Sequence, residues 1–137
     1  MTTLATDKVR DISPGDLNDF PVIASDIDPV AVDVAVANAA ANGLADRVTC
    51  VEAAGFAHPA LAAKTPYDLV FANILKGPLL DLAPAMAAHV KTSGYAILSG
   101  ILNGQADEVA AAYKRAGFML TARDELGEWT TLVLKRS

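Results

Sequence analysis

The stretch Val22-Ile-Ala-Ser-Asp-Ile-Asp-Pro-Val-Ala-Val-Asp-Val-Ala-Val-Ala-Asn-Ala-Ala-Ala-Asn-Gly-Leu44 decides how the rest of the chain is read. Val22 to Ala24 is a short apolar run of the kind found in buried parallel strands. It ends on two acids, Asp26 and Asp28, with Pro29 next. Proline is favoured in the first turn of a helix and aspartate just before it is a good N-cap, so Asp28 is expected to cap a helix that starts at Pro29. That helix should stop at Asn42-Gly43, with glycine in the left-handed conformation. Strand, acid and capped helix make half of a nucleotide-binding β-α unit. In such a unit the acid at the carboxyl end of the strand accepts hydrogen bonds from ribose hydroxyls. Asp26 holds that place, while Asp28 is committed to the cap. The plainer reading, in which both acids only cap and solvate the helix start, stays open on spacing alone.

Beyond Leu44 the alternation continues. Arg47–Glu52 reads as a strand ending on an acid, followed by a loop through Gly55 and Pro59 and a short helix over Ala60–Lys64. Tyr67–Leu75 is the strongest buried strand, with Asn73 near its carboxyl end and Gly77-Pro78 as its break. Leu79–Val90 reads as a helix interrupted or restarted at Pro84 and ended by Ser93-Gly94. A strand over Tyr95–Ile101 follows. An amphipathic helix over Gln105–Ala116 then carries Ala106, Val109, Ala110 and Tyr113 on one face and stops at Gly117. Phe118–Leu126 and Trp129–Lys135 are joined through Gly127 and should form an antiparallel hairpin. The pattern predicts an α/β fold with a mostly parallel sheet and helices on both faces. Ligands of open sheets lie beyond the carboxyl ends of the strands, where Asp26, Glu52, Asn73 and Ser99 all map.

Composition narrows the classes. The chain has 137 residues, 53% of them hydrophobic, which suits one globular domain. A net charge of −5 offers no basic footprint for direct nucleic-acid binding. The single cysteine, Cys50, excludes an internal disulfide and fits a reducing compartment, with an inert core position as its expected role. No apolar run reaches the ~18 residues of a membrane span, and no signal peptide is visible, so a cytoplasmic protein is expected. No metal site is expected, and His58 and His89 read as surface or helix residues rather than bases. Residues 1–21 differ from the rest: they are polar, with a turn signal at Ser13-Pro14-Gly15 and a weak strand or helical turn around Lys8–Ile12. They contain no G-x-G-x-x-G and no glycine-rich loop between a strand and a helix.

Several short motifs together resemble the PrmA family. They are Ala-Ser-Asp-Ile-Asp-Pro (24–29), Asn-Gly-Leu (42–44), Tyr-Asp-Leu-Val-Phe-Ala-Asn-Ile-Leu (67–75), Gly-Pro-Leu (77–79), Leu-Ala-Pro (82–84), Leu-Ser-Gly-Ile-Leu (98–102), Gln-Ala-Asp (105–107) and Gly-Glu-Trp (127–129). Those enzymes use S-adenosylmethionine to methylate protein L-eleven of the large ribosomal subunit. The resemblance covers about Val22 to Arg136. It implies a Rossmann-like class I methyltransferase sheet, here truncated, with the antiparallel hairpin as its ending. It also implies S-adenosylmethionine as cofactor and a large-subunit ribosomal protein as substrate. Asp26 matches the family acid that holds the ribose hydroxyls. Asn73 matches the asparagine beside the cofactor's methionine part and the entering amine, a place where a neutral amide can orient an amine without favouring its charged form. By analogy with related sheets Ile27 and Ala54 contact the adenine, with plain packing as their alternative.

The resemblance has a gap. The family's first strand, its glycine-rich loop and its separate amino-terminal domain should precede Val22, and residues 1–21 match none of them. The expected division is thus a divergent segment over 1–21 and a partial methyltransferase domain over 22–137. The missing strand belongs at the centre of the sheet, between the Val22 and Tyr67 strands. Each buried backbone group left unpaired there would cost about 1–3 kcal/mol, against ~5–15 kcal/mol of net domain stability. Either residues 1–21 supply a substitute strand, or the neighbours pair directly, or the chain is only marginally folded. Two functional readings follow: a protein N-methyltransferase, or a non-catalytic remnant that keeps the fold without cofactor. The sequence leaves the oligomeric state open.

Overall fold

A computed structural model describes the backbone of residues 2–6 and the whole of residues 22–137. The elements, in order, are β1 (Thr2–Thr6), β2 (Val22–Asp26), α1 (Pro29–Ala41), β3 (Val48–Glu52), α2 (Pro59–Ala62) and β4 (Tyr67–Asn73). They continue with α3 (Lys76–His89), β5 (Val90–Leu102), a 3-10 turn (Asn103–Gln105), α4 (Ala106–Ala116), β6 (Phe118–Leu126) and β7 (Trp129–Arg136). The turn signals expected around Lys8–Ile12 and at Ser13-Pro14-Gly15 lie outside the described residues.

The first β-α unit forms as its residues dictate. Asp28 sits in extended backbone and its Oδ1 accepts the Val30 N–H at 2.9 Å, which satisfies one of the orphan donors at the start of α1. Pro29 occupies the first turn, and Gly43 closes the far end at φ 68°. The hairpin between β6 and β7 turns through Gly127 and Glu128, as the spacing requires.

The sheet has seven strands in the order β3-β2-β1-β4-β5-β7-β6. β2 pairs parallel with β3, and β4 parallel with β5, while β7 runs antiparallel to both β5 and β6. The central slot is filled by β1, so the first of the three expected outcomes holds: the amino-terminal segment supplies a strand. Its direction is the new fact. β1 pairs antiparallel with β2 (Thr3 opposite Ser25, Thr6 opposite Val22) and antiparallel with β4 (Thr2 opposite Asn73, Thr6 opposite Leu69). Strands β2, β3, β4, β5 and β6 therefore share one direction, and β1 and β7 oppose it. β1 gives the inward-facing N–H and C=O groups of β2 and β4 their partners, which removes the penalty an empty slot would carry.

The core lies on one face. Val70, Ala72, Ala96, Leu98, Leu132 and Leu134 point from the sheet into Leu79 and Met86 of α3 and Val109 and Tyr113 of α4, all at most 1% exposed. Full burial of each larger side chain among them contributes about 1.5–3 kcal/mol. The Tyr113 hydroxyl donates to the Leu79 carbonyl at 2.9 Å and ties α4 to α3. On the other face α1 buries no residue fully; Ala31, Val32, Ala35 and Ala39 are half-buried, and Val30 and Val34 remain exposed. Phe71 of β4 is also exposed on this side. The weight of the fold rests on α3 and α4.

Most boundaries fall within two residues of the sequence reading, and two differ by three or more. α3 begins at Lys76 rather than Leu79, because Gly77 and Pro78 occupy its first turn, where an N–H has no intrahelical partner to lose. It also runs unbroken through Pro84, which is exposed. β5 begins at Val90 rather than Tyr95: the expected stop at Ser93-Gly94 is an irregularity inside the strand, with Ser93 at φ 67° and a shift in register between Tyr67 and Leu69 of its partner.

Candidate functional site

The polar carboxyl edge anticipated from the sequence is one row of the sheet. Asp26 lies opposite Glu52, and Asn73 opposite Ser99. Ser25 and Ala72 flank the same residue of β1, Thr3, so the next row along holds Asp26 and Asn73. One strand separates them, about 10 Å at ordinary strand spacing.

A cavity of about 160 Å³ opens at this edge, between the ends of β2 and β3 and the start of α3. Three of the four expected site residues, Asp26, Ile27 and Ala54, line it, together with Ala53, Ile74 and Leu82. Asp26 is only 6% exposed. Its Oδ1 accepts the Asp28 N–H at 3.0 Å, a short bond that fixes the carboxyl at the strand end. Ile27 lines the cavity while 53% exposed, so it is not a core residue. The chain turns sharply past Ala54 at Gly55 (φ 58°), where an added Cβ would stand 2.9 Å from the Leu82 side chain.

Asn73, the fourth residue, is exposed and stands beside this cavity; its neighbour Ile74 lines it. The Asn73 amide lies against β5 where that strand has no side chain. Gly100 has φ 77°, and a Cβ there would lie 2.4 Å from the Asn73 Oδ1. Gly100 is thus a positioning residue that sequence reasoning missed, although the signal was present in the Leu-Ser-Gly-Ile-Leu motif (98–102).

The other reactive side chains have structural roles. The Nδ1 of His58 accepts the Ala60 N–H at 3.0 Å and caps α2. His89 lies with Nδ1 2.6 Å from the Ala85 carbonyl, which can only accept, so the proton sits on Nδ1. Its ring stacks on Phe56 with centroids 4.2 Å apart. Cys50 is half-buried on β3, and burial pushes its thiol up, away from the reactive thiolate. Among the described residues no group of three or more His, Cys, Asp and Glu side chains could hold a metal, and no helix is long and apolar enough to cross a membrane.

The arrangement suits one part of an adenosyl ligand. A cavity near 150 Å³ takes up a single benzene-sized ring, so this one has room for one ring of a base beside Ile27, Ala54 and Leu82, the remainder lying at the open mouth near the Asp26 carboxyl. The residues fit the adenosine half of the cofactor implied by the sequence.

Comparison with known proteins agrees with the fold. Residues 12–137 match the family model described as ribosomal protein L11 methyltransferase (PrmA). The described strand β1 lies outside the matched stretch. The chain is 44% identical over 116 residues to a ribosomal protein L11 methyltransferase of Brucella suis, covering 85% of this chain and 41% of that protein. It is 49% identical over 117 residues to the same-named protein of a Chelativorans species, covering 85% and 40%. The chain therefore spans about two fifths of the length of these curated relatives. Among solved structures, ribosomal protein L11 methylase of Lactobacillus delbrueckii subsp. bulgaricus superposes with a TM-score of 0.76 at 30% identity, over 84% of this chain and 57% of that one. An RNA methyltransferase of Salinibacter ruber, solved with S-adenosyl-L-homocysteine, shares the fold with a TM-score of 0.63 at 17% identity, over 82% and 63%.

Proposed function

The chain belongs to the ribosomal protein L11 methyltransferase (PrmA) family, and from that membership we propose that it carries the adenosine-holding part of an S-adenosylmethionine-dependent protein N-methyltransferase. The substrate on this reading is a protein of the large ribosomal subunit, methylated in the cytoplasm where ribosomes are assembled. The observation that carries the proposal is the Asp26 carboxyl fixed at the rim of a cavity lined by Ile27, Ala54 and Leu82.

Each residue then has a stated task. Asp26 accepts hydrogen bonds from the two ribose hydroxyls, and Ile27 and Ala54 enclose the adenine in apolar surface. Bound there, S-adenosylmethionine supplies an electrophilic methyl group for transfer to nitrogen. Asn73, across β1 from Asp26, accepts a hydrogen bond from the entering amine and aims its lone pair at the methyl group. As a neutral amide it does not hold the amine in the protonated form, as a carboxylate would. Positioning and exclusion of water, rather than acid-base chemistry by a histidine, are what this chain contributes. The roles of His58 and His89 as helix cap and stacked ring support that division of labour.

The test is equilibrium binding of S-adenosylmethionine or S-adenosylhomocysteine to the chain, followed by calorimetry. Asp26→Ala should weaken binding by tenfold or more, as expected on losing hydrogen bonds to a charged group at about 1.5–3 kcal/mol. A wild-type melt left unmoved by millimolar ligand would refute the proposal, because a ligand of the folded state alone must raise stability. That outcome would favour the second reading, a remnant that retains the fold without cofactor, which draws support from the reversed direction of β1.

A further inference from the structure

We propose that the open edge formed by β6 and α4 is a self-association surface, on which a second copy of this chain docks across a two-fold axis. The site lies at the opposite end of the sheet from β2 and β3 and does not draw on the reading of Asp26. β6 is the last of the described strands in the sheet order, so one side of its backbone meets no described strand. Every residue after Phe118 in it is exposed, Met119 at 57% and Leu120 at 43%. Open strand edges of this kind pair with another chain unless something blunts them.

Two features of this edge are complementary to themselves. The first is the charge of α4. Its first turn carries Asp107 and Glu108 and its last turn Lys114 and Arg115, all exposed. A two-fold axis through the middle of α4 sets two such helices antiparallel, so the acidic turn of each faces the basic turn of the other. The second is the order of faces along β6. Phe118 is buried against Tyr113 of α4, and Leu120 pairs with buried Leu134 on that same side. The register then shifts between Leu120 and Ala122. Past the shift Arg123 and Glu125 take the α4 side, with Arg123 bonded to Asp107 at 2.6 Å and to Glu125 at 3.1 Å. An antiparallel pair centred on Thr121–Ala122 therefore matches face to face: Leu120 opposite Arg123, Met119 opposite Asp124, and Phe118 opposite Glu125. Like charges never stand opposite one another in that register.

The edge also has room for a second helix. Leu120 stays 43% exposed although it lies on the α4 side, so α4 stops short of the sheet edge. The space left is a groove of about 570 Å³, lined by Ala110, Ala111 and Lys114 of α4 and by Phe118, Met119 and Leu120 of β6. In the dimer the start of the second copy's α4 fills this groove and brings its Asp107 to Lys114. The balance of acids and bases along α4 favours such a copy over a polyanion, which would be repelled at the acidic turn. The contact uses the same patch on both copies, so it closes at two.

The experiment is sedimentation equilibrium of the wild-type chain. A monomer–dimer equilibrium with a Kd of roughly 1–100 µM, the strength of a small interface, is expected. It should weaken by about threefold or more as salt rises from about 0.05 to 0.5 M. Leu120→Lys should abolish the dimer by setting a cation opposite Arg123, whereas Val34→Lys on the exposed side of α1 should leave it unchanged. Lys114→Glu with Arg115→Glu, and Asp107→Lys with Glu108→Lys, replace exposed side chains; each pair should weaken self-association by about tenfold or more. An equimolar mixture of those two double variants should form a dimer again. A chain that stays monomeric up to about 1 mM overturns the proposal, as does growth past the dimer. A dimer indifferent to salt or to Leu120→Lys, or a mixture that fails to associate, overturns it as well.

Discussion

Replacement of Gly100 by alanine tests how the Asn73 amide is held, and its cost can be worked from the geometry. At φ 77° an alanine pays for the left-handed conformation, about 1–2 kcal/mol. Its Cβ would also lie 2.4 Å from the Asn73 Oδ1, far inside contact distance. That atom is the end of a side chain, so the overlap is relieved by turning Asn73 off its rotamer, at about 0.5–1.5 kcal/mol. The sum, about 1.5–3.5 kcal/mol, should lower Tm by roughly 5–18 °C for a domain of this size. A double-mutant cycle separates the two parts. In an Asn73→Ala background the overlap is gone and only the backbone part remains, so the two substitutions should couple by about 0.5–1.5 kcal/mol in urea denaturation. Additivity within about 0.3 kcal/mol would refute the claim that Gly100 positions Asn73.

Other expectations follow from contacts already described. Asp28→Ala removes the bond to the Val30 N–H and should cost about 1 kcal/mol in chemical denaturation, with loss concentrated in α1. Tyr113→Phe breaks the bond to the Leu79 carbonyl and should cost about 0.5–1.5 kcal/mol. Burial also holds the Tyr113 hydroxyl above its ordinary value. Its contribution is thus complete below about pH 10, where the unfolded tyrosine titrates, and falls as pH rises beyond that. Phenylalanine at 113 should flatten this alkaline loss, and an unchanged pH profile would count against the assignment. Cys50 should alkylate more slowly in the native chain than in urea, because burial raises its thiol; equal rates would contradict its placement on β3.

Much of the fold could be read from local signals that act alone. Asp28-Pro29 at one end of α1 and Asn42-Gly43 at the other fix a helix whatever surrounds it, and Gly127 between two apolar runs fixes a hairpin. α4 was legible because Ala106, Val109 and Tyr113 repeat at helical spacing and are the residues buried. Asp26 was legible because it follows the apolar run and precedes the cap, and Ile27 and Ala54 reach the same cavity. The direction of β1 was not legible. Thr2 to Thr6 has no turn, cap or glycine beside it, and strand direction depends on partners distant in sequence. The persistence of α3 through Gly77, Pro78 and Pro84 was hidden for a related reason: packing of Leu79, Ala83 and Met86 outweighs three residues of low helix propensity. Gly100 stands in the Leu-Ser-Gly-Ile-Leu motif, but only the nearby Asn73 Oδ1 gives that glycine a cause.

The reversed central strand has a mechanical consequence. Within the hydrogen-bond ladder, the half of the sheet that bears Asp26 and the half that bears Asn73 are stitched together by five residues. If that stitch frays, the Asp26 carboxyl and the Asn73 amide part company while α3 and α4 keep their own packing. Amide protection along Thr2–Thr6 therefore sets a ceiling on how long the two ends of the crevice stay aligned.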